Sequence, residues 1–318
     1  MVFDSHMDTP TELLRGRDIF IDGSAQQVDL PKLRRGEVGA AFFALYCSAQ
    51  LSPDEATAHA LEMAGAVERI IRESKGEFAS AYSPSDFYIN QAKGKISLFL
   101  GMENASPIQE SLDLLEAFHK IGVRYVTLTH NGDNSVADSA AEGSRWGGLS
   151  PFGKKVVKRM NELGMMIDLS HASDRTFWDC IELSEAPVVA THSCCRALCS
   201  HRRNLTDDML RALKDKDAYV GINFYPYFLV EDPLKTPPGV KEIVDHIDHA
   251  VRLAGVEHVG IGSDYDGIEI TPEGMENVGC LPKVFEEMRR RGYSEEQISL
   301  ISGGNLLAVM DRIISCSK

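Results

Sequence analysis

The chain has 318 residues, enough for two ordinary domains or one large barrel, and 43% hydrophobic with 25% charged residues excludes a disordered, collagen-like or low-complexity chain. Asp and Glu total 47 against 33 Lys and Arg, a formal charge of −14. With no basic run, that balance argues against a nucleic-acid or membrane partner, because phosphate binding relies on Lys and Arg displacing counterions.

Read from the N-terminus, the chain shows no basic segment followed by an apolar one, and no apolar stretch approaches the ~20 residues of a membrane helix. A cytoplasmic protein is the simplest expectation. Short apolar, β-rich runs then recur at 1–3, 40–46, 96–100, 125–128, 165–169, 188–190, 218–223 and 259–261. Helical spacing of apolar residues fills the gaps at 53–73, 108–121, 151–163, 174–183, 207–214 and 241–254, and a helical tail starts near residue 294. Ser52-Pro53 and Ser150-Pro151 read as N-cap followed by proline at N1, while Gly122, Gly164 and Gly255 sit where helices should stop. Eight β/α alternations without a composition break predict an α/β chain with a single domain over 1–318, a (β/α)8 TIM-like barrel with a C-terminal helical tail. No GxGxxG or Walker A motif supports a doubly wound nucleotide fold. The long proline-rich segment 225–239, after the seventh run, is a lid candidate.

Seven cysteines, odd in number and without a CxxC pair, do not suggest a disulfide scaffold. Buried, reduced thiols are expected at Cys47, Cys180, Cys194, Cys195, Cys199, Cys280 and Cys316.

Barrel enzymes build their sites at the C-terminal ends of strands. After successive runs come His6 and Asp8, Glu103, His130, His171, His192 and Asp264. His-x-Asp puts two side chains on the same face of an extended segment, where one metal can take both. Five ligands exceed the three that one catalytic zinc usually takes, so two metals are more economical. Glu103 is the natural bridge, with His6 and Asp8 completing one ion and His171 and His192 the other. A metal-bridging hydroxide is then the expected nucleophile, with Asp264 moving the proton and His130 donating to the oxyanion. The remaining histidines, His59, His119, His201, His246, His249 and His258, are expected in solvated or capping roles.

Together and in order, Asp4-Ser5-His6-Met7-Asp8, Leu128-Thr129-His130-Asn131, Asp168-Leu169-Ser170-His171, His192-Ser193, Arg202-Arg203-Asn204-Leu205, Ser263-Asp264-Tyr265-Asp266-Gly267 and Gly303-Gly304-Asn305-Leu306 resemble the renal (membrane) dipeptidase family in its microbial branch, from residue 4 to about 310. The resemblance implies a binuclear zinc dipeptidase on a TIM-like barrel, typically a homodimer, acting on dipeptides and tolerating a D-residue at the C-terminal position. It implies His6, Asp8, Glu103, His171 and His192 as metal ligands, Asp264 as catalytic aspartate, His130 on the oxyanion side, Arg203 as the clamp for the substrate carboxylate and Tyr225 as a pocket residue. Zinc is the implied metal, and the same nitrogen and oxygen set would accept cobalt or manganese. Asn305 is expected to stabilise the start of the C-terminal helix. The chain departs from the family at Asn104-Ala105, where many members carry glycine, and at 134–138, which lacks the tryptophan of the animal enzymes. Both departures are expected to shape the pocket.

The nearest rival is another binuclear amidohydrolase, such as an N-acyl-amino-acid deacylase or a lactonase. Many of those carry His-x-His after the first strand and a carboxylated lysine bridge, whereas this chain has His-x-Asp and Glu103. A non-catalytic barrel that binds metal or peptide would be signalled by loss of Asp264, His130 or a ligand, and all are present.

Overall fold

The computed structural model describes residues 1–141 and 144–317. Its strands are β1 (Val2–Met7), β2 (Val38–Tyr46), β3 (Phe78–Ser80), β4 (Ile96–Glu103), β5 (Val123–Thr127), β6 (Met166–Asp168), β7 (Val189–Ser193), β8 (Tyr219–Ile222) and β9 (Val259–Ile261). All pair in parallel in the order β1-β2-β4-β5-β6-β7-β8-β9, with helices in the crossovers, and the eight-stranded path nearly closes on itself as a TIM-like barrel. At the seam between β9 and β1, a bridge joins Met7 to Tyr265, and the Asp8 and Asp264 amides donate to the carbonyls of Tyr265 and His6 at 2.9 and 3.1 Å. That seam carries His6, Asp8 and Asp264 to one place.

Strand β1 runs well past the predicted 1–3, through the polar Asp4-Ser5-His6, and all six of its residues are buried. The barrel satisfies part of these groups internally: Asp4 Oδ1 accepts from the amides of His6 and Ser263, and the Ser5 hydroxyl donates to the carbonyls of Thr191 and Ile261. Strand β4 likewise extends to Glu103. Strand β3 has no counterpart among the predicted runs. Three residues are too few for a periodic signal, and β3 lies on β4 below the point where β5 begins to pair. The predicted helix 108–121 is a 3-10 turn at Ser106–Ile108 followed by a helix at Leu112–Lys120.

Helix starts follow the capping chemistry. Ser52, Ser150, Ser173 and Thr206 each accept an amide hydrogen bond from the third residue of their helices, and Gly164 ends Pro151–Leu163 in the left-handed conformation. Inside the barrel, the rings of Phe3, Phe42, Phe99 and Tyr125 pack with centroids 4.9–5.6 Å apart, each burial stabilising on the order of 2–3 kcal/mol. Leu306, Val309, Met310 and Ile313 from the helix Asn305–Ser315 join the same cluster and plug the barrel floor. Gly303 permits that approach, since a Cβ there would lie 2.8 Å from Phe3 Cβ.

Residues Glu295–Ser315 are long and apolar enough to cross a membrane by length and composition, with mean hydropathy 1.3, and more than half of the run is buried against the barrel. Ser302-Gly303-Gly304-Asn305 and Asp311-Arg312 interrupt it, so it is not a continuous apolar run. Asn305 does not stabilise its own helix start. Its Nδ2 donates to the carbonyls of Val256 and Val259, pinning the tail to the base of β9.

Five cysteines are buried thiols, while Cys280 is half-buried and Cys316 is exposed, and all seven are free. Three of the histidines expected in solvated or capping roles are buried. His246 accepts from the Cys195 amide and donates to the Leu229 carbonyl, His249 meets Asp207 and Arg252, and His258 donates to the Ala218 carbonyl.

Candidate metal centre

Three of the candidates lie within strands rather than after them: His6 in β1, Glu103 as the last residue of β4, and His192 in β7. His130, His171 and Asp264 each sit three residues beyond β5, β6 and β9. His171 and Asp264 turn back into the barrel mouth with φ of +66°, a left-handed conformation uncommon for side-chain-bearing residues and concentrated at functional sites.

The Nε2 atoms of His171, His192 and His6 lie 3.2, 3.5 and 3.7 Å from Oε1 of Glu103, and His6 Nε2 lies 3.5 Å from Asp8 Oδ2. His6, Asp8 and Glu103 form one group that can hold a cation. A second is made by Glu103, His171 and His130, with His192 stacked beside His6 at a ring-centroid distance of 3.8 Å. Besides the expected His171 and His192, the structure brings His130 beside Glu103 and His171.

The chemistry of these donors fits metal ions. His6 Nε2, His192 Nε2 and Asp8 Oδ1 are fully buried with no hydrogen-bond partner, and an orphaned buried polar atom costs about 1–3 kcal/mol unless something occupies it. Each of these three candidate histidines meets an oxygen on its other ring nitrogen: Tyr125 Oη at 2.8 Å from His6, Asn131 Oδ1 at 3.2 Å from His171 and Thr191 Oγ1 at 2.9 Å from His192. Asn131 Oδ1 can only accept, so it holds His171 Nδ1 as the protonated nitrogen and leaves the His171 Nε2 lone pair facing Glu103, whereas the Tyr125 and Thr191 hydroxyls can donate or accept. Asn131 closes one of the motifs above but carried no role there, and Tyr125 and Thr191 did not stand out in the sequence, because a neighbour across the barrel leaves no spacing signal.

Electrostatics follow from burial and proximity. Burial first, then the charge of Arg203, holds His171 well below its ordinary pKa, and His192 is lowered by burial, His6 and Arg203, so both keep free lone pairs. Burial opposes protonation of His6, but Glu103 and Asp8 outweigh it and raise its pKa well above the usual value. His130 is pushed down to about 3 by burial and then Arg203, and is a neutral imidazole at neutral pH. Its ring packs 4.3 Å from His171 and 4.8 Å from Tyr46.

Burial pushes the Asp264 carboxyl up to about 8, Asp8 and Glu103 adding to the effect and His6 opposing it. Asn223, absent from the candidates, donates to Asp264 Oδ2 at 2.8 Å and accepts the Tyr225 amide. Gly267 presses its backbone against Asp8 and Asp264.

A cavity of about 530 Å³ opens above these groups, lined by Tyr46, Glu103, His130, His171, Tyr225 and Asp264 among others. Tyr225 and Phe228, from the start of the lid-candidate segment, form part of its wall, and Pro226–Leu229 is a short helix. Arg203 is buried, with its guanidinium carbon 5.3 Å from the ring centroid of Phe228, Nη2 on the His192 carbonyl and Nε without a partner. Burial lowers its pKa to about 10, which leaves it charged at neutral pH.

The departures at 104–105 and 134–138 do not line the cavity. Asn104, with φ +77°, is a brace behind Glu103: its Nδ2 donates to the Cys47 carbonyl, while its Oδ1 accepts from Ser106 and Asn134. Glycine and asparagine are the residues that best tolerate this backbone.

The family model "Membrane dipeptidase (Peptidase family M19)" matches residues 1–318. The chain is 37% identical over 294 residues to dipeptidase aclJ of Aspergillus oryzae, covering 89% of this chain and 69% of that protein. It superposes with a TM-score of 0.92 and 30% identity on a metallo peptidase of Rhodobacter sphaeroides liganded with a phosphinate mimic of the dipeptide L-Ala-D-Ala, over 98% of this chain and 99% of that one. The probable dipeptidase PvdM of Pseudomonas aeruginosa gives a TM-score of 0.93 at 28% identity, over 100% and 96% of the two chains.

Proposed function

The chain belongs to the membrane dipeptidase family, peptidase family M19, and from that premise we propose that it hydrolyses the peptide bond of free-acid dipeptides, L-L and L-D, at a centre of two zinc ions. The observation that carries the metal reading is the convergence of three histidine Nε2 atoms on Glu103 Oε1, two of them buried without a hydrogen-bond partner. His6 and Asp8 would hold one ion, His171 and His192 the other, and Glu103 would bridge them. When bound, the ions supply Lewis acidity and a water acidic enough to attack near neutral pH.

The chain's own residues do the rest. Arg203, charged and with Nε free, takes the substrate's terminal carboxylate, which selects free acids over amides. Tyr225 closes the pocket on that side. His130, held neutral, donates a hydrogen bond to the carbonyl oxygen as it gains charge. Asp264, oriented by Asn223, accepts a proton from the attacking water and returns it to the leaving amine. The L-Ala-D-Ala mimic bound by the Rhodobacter relative supports including L-D dipeptides among the substrates.

The test is steady-state hydrolysis of L-Ala-L-Ala, L-Ala-D-Ala, D-Ala-L-Ala, N-acetyl-L-alanine and a tripeptide, with metal content measured on the same sample. Turnover of the L-L and L-D dipeptides with about two metals per chain is expected. Turnover of the N-acetyl compound alone would transfer the site to a deacylase.

A further inference from the structure

Asp168 is fully buried on the strand preceding His171, and the proposed chemistry gives it no task. One of its oxygens lies within 4.8 Å of ligand atoms of His6 and His192, near enough to count as a metal-binding candidate itself. Its hydrogen bonds point to another role. Oδ1 accepts from the amides of Ser170 and Thr191 at 3.1 and 2.8 Å, and Oδ2 accepts from the hydroxyls of Thr127 and Thr191 at 2.5 and 2.7 Å. Four neutral donors occupy both oxygens, which leaves little of either for a metal.

The Thr191 hydroxyl has a single proton. A carboxylate only accepts, so that proton goes to Asp168 Oδ2, and the Thr191 lone pair is left facing His192 Nδ1 at 2.9 Å. His192 must then carry its proton on Nδ1, and its buried, unpartnered Nε2 becomes a lone pair directed at Glu103. The Ser170 hydroxyl, whose own amide donates to Asp168, also receives the His192 amide at 3.0 Å, so the same carboxylate steadies the backbone of the ligand.

We propose that Asp168 is a positioning residue that acts through Thr191 to set the tautomer of His192, and so the affinity of one of the two metal positions. The proposal rests on the metal reading above. It makes a polarity-specific demand. In Asp168→Asn, Oδ1 can keep the two backbone amides, which places the amide Nδ2 toward both threonine hydroxyls. Thr191 then accepts from the amide and donates its proton to His192 Nδ1, which moves the imidazole proton to Nε2 and blocks the ligand atom.

The experiment compares wild type, Asp168→Asn, Thr191→Val and Thr191→Ser. Zinc affinities come from competition with a chelating indicator, and the His192 tautomer of zinc-free protein from long-range 1H–15N spectra, assigned by the signal lost in His192→Gln. Melting temperatures in chelator report the fold. Asp168→Asn and Thr191→Val are expected to weaken one zinc position about 10- to 100-fold and leave the other near wild type. Asp168→Asn should also show His192 protonated on Nε2, and Thr191→Ser should match wild type in both readouts.

Wild-type affinity in folded Asp168→Asn, or an unchanged Nδ1 tautomer there, would overturn the proposal. If Asp168→Asn does not fold, the threonine pair decides: equal weakening in serine and valine rejects the hydroxyl relay, and weakening in valine alone upholds it. A directly ligating Asp168 would be insensitive to Thr191→Val. If wild type bound no zinc, the metal reading would fail, and the tautomer comparison would still test the relay.

Discussion

Gly267 lies against Asp8 so closely that a Cβ on residue 267 would fall 2.1 Å from Asp8 Oδ2, and 2.6 Å from Oδ1 of Asp264 beyond it. Both contacted atoms end short side chains, so an added methyl is relieved by swinging two carboxylates aside rather than by moving the barrel. Gly267→Ala is expected to keep the wild-type melting temperature within a few degrees in chelator and to lower kcat/KM on L-Ala-L-Ala by about 100-fold, the penalty of an ångström-scale misplacement at a reacting centre. Full activity in the alanine variant would mean that the 264–267 turn recedes freely.

Arg203 has a desolvated guanidinium whose Nε lacks a partner, and under the proposed function it takes the substrate carboxylate. Arg203→Ala should raise KM for free-acid dipeptides about 10- to 100-fold relative to the matching C-terminal amides. Parallel losses on acids and amides would remove Arg203 from carboxylate recognition and leave it as a structural contact of His192.

Asn104 tests the separation of backbone strain from hydrogen bonding. Replacement by either glycine or alanine removes the bonds to Cys47, Ser106 and Asn134, but only alanine also places a Cβ at φ +77°. Asn104→Ala is therefore expected to be less stable than Asn104→Gly by about 1 kcal/mol in urea denaturation. Reversal of that order would show that the loop relaxes out of the left-handed conformation.

His246 makes the stability pH-dependent at a point away from the metal ligands. Burial, then His249, hold its pKa down to about 4 from an ordinary 6.5, against the Leu229 carbonyl bond and the charge of Asp245. The folded chain thus refuses a proton that the unfolded chain takes up below pH 6.5. The associated stability is complete above 6.5 and is lost as pH falls toward 4, by about 3 kcal/mol in all. In chelator, His246→Gln, which can supply both an acceptor and a donor, should flatten the fall of melting temperature between pH 6.5 and 4.5. An unchanged slope would assign that acid sensitivity to other groups.

Much of the site is readable in the chain because a barrel presents ligands at strand ends, and short buried strands leave apolar runs that mark those ends. His130, His171 and Asp264 lie just beyond such runs. The runs miss β3 and misjudge how far β1, β4 and β7 continue, since Asp4, Ser5, Glu103 and His192 look like strand breakers until the barrel surrounds them. Three of the histidines set aside as solvated or capping are buried for a similar reason: a carbonyl or amide from another crossover satisfies each ring, and no local pattern records it.

The sequence by itself determined the alternation of strand and helix, the helix caps and the identity of the chemical groups, because these depend on residues within a few positions of one another. Tertiary structure alone decided which nitrogen each histidine presents, how far Asp264 is pushed toward proton exchange, and that Asn104 braces rather than lines the pocket. Those properties arise from Tyr125, Asn131, Thr191, Asn223 and Gly267, which reach the site from separate strands and loops. Their effect depends on burial and on distances of about 3 Å, and only the closing of the barrel sets either one.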